Sequence, residues 1–214
     1  MTNDRSGSLG TVLWLLTVMV ALPGCVGAPE GLTPVSGFEV ERYLGRWYEI
    51  ARLDHSFERG LTDVTAEYAR RPDGSVSVTN RGFDPAKGRW RESQGVARFT
   101  GDASVASLKV SFLRPFWGGY NVLALDRDGY QWALVAGPSR SYLWILSREP
   151  TLDPAVLASL RDQAHRWGFD TEALIVVSHS KSMGAAEKQA RHDPPTQVQV
   201  GPFLQTRRVP CNIT

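Results

Sequence analysis

From Gly45 to Arg148 the chain repeats one pattern, a short stretch of alternating apolar and polar residues followed by a turn. Leu61 to Arg70 sets Val64, Ala66 and Tyr68 against Asp63, Thr65 and Glu67, and a period of two marks a half-buried strand. "RPDG" at 71–74 supplies a turn, with proline fixing φ and glycine accepting positive φ. Further strand-like segments are Val76–Phe83, Arg89–Thr100, Ser107–Leu113, Tyr120–Asp126, Tyr130–Gly137 and Tyr142–Arg148. "DPAKG", "DRDG" and "GPSR" lie among the links. About eight consecutive strands with hairpin-length links predict a mainly β fold, an eight-stranded antiparallel up-and-down β-barrel. Closure removes the exposed edges of such a sheet, although periodicity alone also fits a two-sheet sandwich.

The period then changes. Asp153 is an N-cap candidate, Pro154 suits the first helical position, and "AVLASLRDQAHRW" runs to Gly168 as a stop. Val156, Leu157, Leu160 and Ala164 fall on one face, which predicts one C-terminal α-helix packed outside the barrel. "ALIVV" at 173–177 reads as one more short strand, and residues 38–178 form the expected domain. From 179 to 214 the chain is polar and aperiodic, apart from "VGPFLQ", and disorder is expected.

At the other end, "TVLWLLTVMVAL" (11–22) is an unbroken apolar run. It is roughly half of the ~20 residues a membrane span needs, and it reads as the core of a signal peptide. "LPGC" follows it and resembles the lipobox of bacterial lipoproteins, so residues 1–24 are expected to be removed and Cys25 acylated. An ordinary signal peptide, with Cys25 free to pair with Cys211, is the alternative. Residues 25–37, rich in glycine and proline, suit a tether. Val26 stands where an aspartate would resemble an inner-membrane retention signal, which points to the outer membrane.

The formal charge is +2 with both signs scattered, so no basic stripe suggests a nucleic-acid partner. The seven tryptophans suit a wide apolar interior or an interface. Asp54-His55-Ser56 contains triad residue types, but sequence neighbours cannot converge on one reacting atom. Ser178-His179-Ser180 stands where periodicity fades, and no His/Cys/Glu spacing resembles a metal or phosphate-loop motif. No catalytic, cofactor or metal site is expected.

Gly45-x-Trp47 at the first strand, "LKVSFLRPFWGGYNVLALDRD" (108–128) and "YLWILSREP" (142–150) together resemble the lipocalin family, from about Phe38 to Val177. The resemblance implies that Trp47 closes the narrow end of the barrel, with Arg148 across its indole and Gly45 letting the backbone bend in. It implies an apolar ligand held in the cavity, and in the bacterial branch a fatty acid or lysophospholipid. The expected roles are storage or transport for envelope maintenance or lipid repair, rather than catalysis. Enzymes of the family use a cavity cysteine, and neither Cys25 nor Cys211 falls in the barrel. The loop with Phe57 resembles a lid over the mouth. Phe112, Phe116, Trp117, Tyr120 and Tyr142 are the other candidate ligand contacts, with core packing as the alternative for each aromatic. His55, Arg59 or Arg114 could meet a headgroup. The family also includes homodimers. Two further readings use the same barrel: an enzyme acting on the held lipid, and a partner-binding envelope protein whose barrel is filled.

Overall fold

A computed structural model describes residues 26–181. The expected leader, Cys25, Cys211 and the polar segment from 182 onward lie outside the described residues. A single helical turn, α1 (Val40–Tyr43), leads into β1 (Gly45–Arg52), β2 (Thr62–Arg70), β3 (Val76–Asp84) and β4 (Arg89–Phe99). β5 (Ser107–Leu113), β6 (Phe116–Leu125), β7 (Trp132–Ala136) and β8 (Leu143–Ser147) follow, then helix α2 (Pro154–Arg166) and a short β9 (Ile175–Val176). Each strand pairs antiparallel with the next, and β1 pairs with both β2 and β8, which closes an eight-stranded barrel. Closure pairs every strand of the meander on both sides over at least part of its length.

The side-chain alternation divides the apolar residues into two groups. Trp47, Tyr68, Val76, Val78, Leu108, Val122 and Leu146 point inward. Ile50, Leu123, Leu134 and Ile145 point outward and meet Leu160 and Ala164 of α2. The Asp153 carboxylate caps α2, accepting from the N–H groups of Ala155 at 2.7 Å and Val156 at 3.3 Å. Gly168, at φ 81°, ends it.

One irregularity governs the interior. Glu49 faces Leu146 and Ala51 faces Ile145, so Ile50 is an extra residue in β1. This bulge resets the alternation: Glu49 points inward, Ile50 and Ala51 outward, and Arg52 inward again. A strict period of two would have sent Arg52 to the outer wall.

Both ends of the described chain pack on the barrel. Beyond Tyr48, β2 leaves β1, and β9 takes its place against Ala51 and Arg52. The Ile50 carbonyl accepts from Val177 N–H at 2.9 Å, and the Ser178 carbonyl accepts from Asp63 N–H at 2.7 Å. His179 is buried with Nε2 2.9 Å from the Glu49 carbonyl, and Lys181 N–H donates to Asp63 Oδ1 at 2.8 Å. Ordered chain therefore passes 178, because the split between β1 and β2 presents backbone groups that need partners. Residues 26–37 run along the outer wall: Asn121 Nδ2 donates to the Gly27 carbonyl at 3.0 Å, and Val35 bridges Val122 and Ala106 through backbone bonds of 2.9 Å each.

Candidate functional site

The turns β1–β2, β3–β4, β5–β6 and β7–β8 gather at one end of the barrel, which is open. At the other end the chain enters β1. Gly45 adopts φ 88°, a left-handed conformation that favours glycine. Trp47, two residues on, is 0 % exposed, and its indole N–H donates to the Tyr43 carbonyl at 2.8 Å. The Arg148 guanidinium lies 3.9 Å from the ring centroid. Its N–H groups donate to the carbonyls of Arg46 at 2.8 Å, Arg42 at 2.7 Å and Tyr130 at 3.2 Å. One side chain thus ties α1, β1 and the β6–β7 turn together at this end.

Above Trp47 stand three phenols. Tyr120 Oη lies 2.7 Å from that of Tyr43 and 2.9 Å from that of Tyr68. Burial pushes all three hydroxyl pKa values up, so they remain neutral phenols. Val76, Val78, Leu108 and Val110 form the adjoining walls of a narrow inner chamber of about 110 Å³. Towards the mouth the space widens to about 550 Å³, bordered by Phe57, Val64, Phe112, Phe116, Tyr142 and Trp144. That lies within the ~300–1,000 Å³ of small-molecule sites.

A charge cluster sits under the β1–β2 loop. Arg52 Nη1 is 2.6 Å from Glu49 Oε1, and Nη2 donates to the Glu58 carbonyl at 2.9 Å. Glu58 Oε2 accepts from the Trp144 indole at 3.2 Å and lies 3.1 Å from His55 Nε2. Burial, reinforced by the Glu58 charge, pushes the Glu49 carboxyl well above its ordinary range despite Arg52. Burial also works against the charge on Glu58, but His55, Trp144 and Arg52 together hold that carboxyl below its ordinary range. Phe57 covers this cluster, stacked on His55 with centroids 3.9 Å apart and half exposed at 53 %.

The sequence candidates separate accordingly. Gly45, Trp47 and Arg148 meet at the closed end. Phe57, Phe112, Phe116, Trp117 and Tyr142 border the mouth, while Tyr120 lies deeper among the phenols. Trp117 presents its ring to Lys109 Nζ at 5.1 Å. Of the three headgroup candidates, His55 is committed to Glu58 beneath Phe57, Arg59 to Asp54 at 2.7 Å, and Arg114 stands exposed in the β5–β6 turn. Arg81 and Arg91, which sequence reasoning missed, border the mouth instead. Among the described residues no group of three or more His, Cys, Asp and Glu side chains is placed to hold a metal ion.

The lipocalin-like domain family matches residues 38–179. The chain belongs to the lipocalin family. The outer membrane lipoprotein Blc of Vibrio cholerae is 51 % identical over 165 residues, 77 % of this chain and 96 % of the relative. Its Escherichia coli counterpart is 54 % identical over 154 residues, 72 % of this chain and 86 % of the relative. Among solved structures, the cockroach allergen Per a 4 superposes with a TM-score of 0.58 at 21 % identity, covering 73 % of this chain and 98 % of its own. That likeness bears on the fold alone. With these relatives, this lipocalin is placed in the cell envelope as an outer membrane lipoprotein.

The lipocalin's interior residues Glu49, Arg52, Glu58, Tyr43 and Tyr68 are the ones sequence reasoning did not single out. A charged pair inside a strand that otherwise reads as buried, Glu49 and Arg52, was the available signal. Glu49 is in phase with Trp47, but the one-residue bulge that turns Arg52 inward beside it leaves no mark in the pattern.

Proposed function

We propose that this lipocalin, anchored through acylated Cys25, stores or transports fatty acids or lysophospholipids for envelope maintenance or lipid repair. The acyl chain occupies the barrel and the headgroup stays at the mouth. The observation that carries this is the distribution of charge along the cavity. The charged side chains bordering its inner part are Glu49 and Glu58, whereas Arg81 and Arg91 stand at the rim. A carboxylate or phosphate pushed inward would meet two carboxyls; left at the rim it meets two guanidiniums. Each methylene removed from water contributes ~0.8 kcal/mol, so a long chain reaches micromolar affinity after ordering costs.

Displacement of a fluorescent fatty acid from the delipidated protein tests the reading. Binding should be saturable and tolerant of chain length. Arg81→Glu with Arg91→Glu should weaken an anionic lysophospholipid about tenfold or more while sparing a neutral monoacylglycerol. Absence of binding by the delipidated protein would instead favour a filled barrel with a protein partner, and turnover of a lysolipid would mark an enzyme.

A further inference from the structure

The open rim carries more apolar surface than a cavity mouth needs. The large apolar side chains most exposed among the described residues include Leu113 and Phe116, at 71 % each. Phe57, Trp90 and Phe112 are exposed at the same end, in three different strand–loop–strand units. Leu113 and Phe116 form the tip of the β5–β6 hairpin, whereas Trp90 belongs to the β3–β4 hairpin. Between these hairpins the barrel wall is open, because β4 pairs with β5 only over Val96–Phe99 and its outer half, Arg89–Gly95, pairs with β3 alone. Arg91 and Ser93 on one side and Phe112 and Leu113 on the other border the cavity there.

Charge at the same rim is mainly positive. Arg81, Lys87, Arg89, Arg91 and Arg114 are exposed there, against Glu92 and, across the mouth, Asp54. Arg81 lies flat on Trp90, 4.2 Å from its ring centroid. Aromatic and aliphatic tips interleaved with basic side chains suit the boundary between anionic headgroups and acyl chains. Two copies docking rim to rim would bring like charges together.

The N-terminal strap brings Val26 near this rim. Val26 lies so close to the outer face of β6 that a Cβ on Gly119 would stand 2.6 Å from its carbonyl oxygen. Gly119 is three strand steps from Phe116, about 10 Å, and Cys25 is the next residue before Val26. We propose that the open rim of this barrel is a membrane-docking surface. The β5–β6 tip enters an anionic phospholipid surface, and the gap between β4 and β5 faces the bilayer, so that a lipid passes between membrane and cavity without crossing water. The docking stands on exposure, charge and strap position; its use for lipid transfer rests on the proposed function.

The test uses the acylated lipoprotein with Cys211→Ser, carrying one nitroxide at Phe116→Cys or Leu113→Cys, in vesicles of phosphatidylethanolamine and phosphatidylglycerol. Asp128→Cys, in the β6–β7 turn at the closed end, is the reference site. Docking predicts that the rim labels collide with oxygen more than with an aqueous nickel chelate, and that the reference label does the reverse. Charge reversal at Arg114 should lower the fraction of rim label in lipid about fivefold. Rim labels as open to the chelate as the reference overturn the proposal, as does dipolar broadening between rim labels, which would seat a second copy there. Fatty-acid displacement on the unlabelled lipoprotein, with Leu113 and Phe116 intact, separates the two readings. Saturable binding with a water-exposed rim removes docking alone, whereas a lipid-embedded rim without binding removes the cavity reading alone.

Discussion

Replacing Arg52 with methionine isolates the interior charge cluster. Arg52 is almost wholly buried and makes three contacts: Glu49 Oε1 at 2.6 Å and the carbonyls of Glu58 at 2.9 Å and Leu61 at 3.4 Å. Methionine fills most of the volume and removes all three. Glu49 then escapes an unpaired buried charge by taking up a proton. From an ordinary pKa of ~4.3, that costs at most about 3.7 kcal/mol at pH 7 and about 1 kcal/mol at pH 5. Wild-type Glu49 is already held above its ordinary range by burial, so part of this cost is present before the substitution. Lost hydrogen bonds to the two carbonyls add ~1 kcal/mol each. Arg52→Met should therefore destabilise by about 3–5 kcal/mol at pH 7 and by less at pH 5. Adding Glu49→Gln should restore about 2 kcal/mol or more at pH 7, because nothing is left to ionise. Urea titrations of the four proteins at both pH values read each quantity. A loss for Arg52→Met that does not change with pH, or no rescue by Glu49→Gln, would refute the pairing.

Glu49→Gln and Glu58→Gln alone should shift the pH profile of stability in opposite windows. The folded pKa of Glu49 is raised, so its favourable contribution is complete below ~4.3 and is lost as pH rises through the folded value. Glu49→Gln should thus gain on wild type as pH climbs. The folded pKa of Glu58 is lowered, so its contribution is present above ~4.3 and is lost in acid. Glu58→Gln should fall behind wild type at neutral pH and converge with it below pH 4. At the closed end, Trp47→Ala should cost about 3–5 kcal/mol by cavity formation. Arg148→Met, which loses three hydrogen bonds and the stacked cation, should cost about 2–4 kcal/mol in the same assay. Gly119→Val should displace the strap, read as faster hydrogen exchange at residues 27–35 with the barrel amides unchanged.

Strand placement is legible in this sequence because most strands have one wall facing the cavity or core and one facing water or α2, and that difference imposes the period of two. The helix is legible from Asp153, Pro154 and Gly168, residues whose local chemistry acts whatever surrounds them. Legibility fails where tertiary geometry overrides the period. β6 begins at Phe116 rather than Tyr120, since Gly118 and Gly119 pair with Val110 and Lys109 although they carry no side chain to alternate. His179, in a segment that reads as polar and aperiodic, is buried because the split between β1 and β2 offers it the Glu49 carbonyl. Residues 26–37 have a linker's composition, yet Val35 and Gly27 find backbone and Asn121 partners on the barrel wall.

The bulge at Ile50 connects these departures to function. By turning Arg52 inward, it places a fixed cation beneath the loop that carries Phe57, and this cation holds the loop through two of its carbonyls. The same loop contributes Glu58, which Trp144 of β8 and His55 hold from the cavity side. The covering of the mouth is therefore fastened from within by charged groups, whereas the rim around it is exposed, apolar and basic. A chain sliding in beneath Phe57 meets apolar wall below the cluster, so it need not break the Glu49–Arg52 pair to bind. The order of costs follows: displacing the exposed ring of Phe57 is cheap, and unfastening Arg52 is not. Passage should depend on Phe57 and the β4–β5 gap, with the charge cluster as the fixed side of the opening.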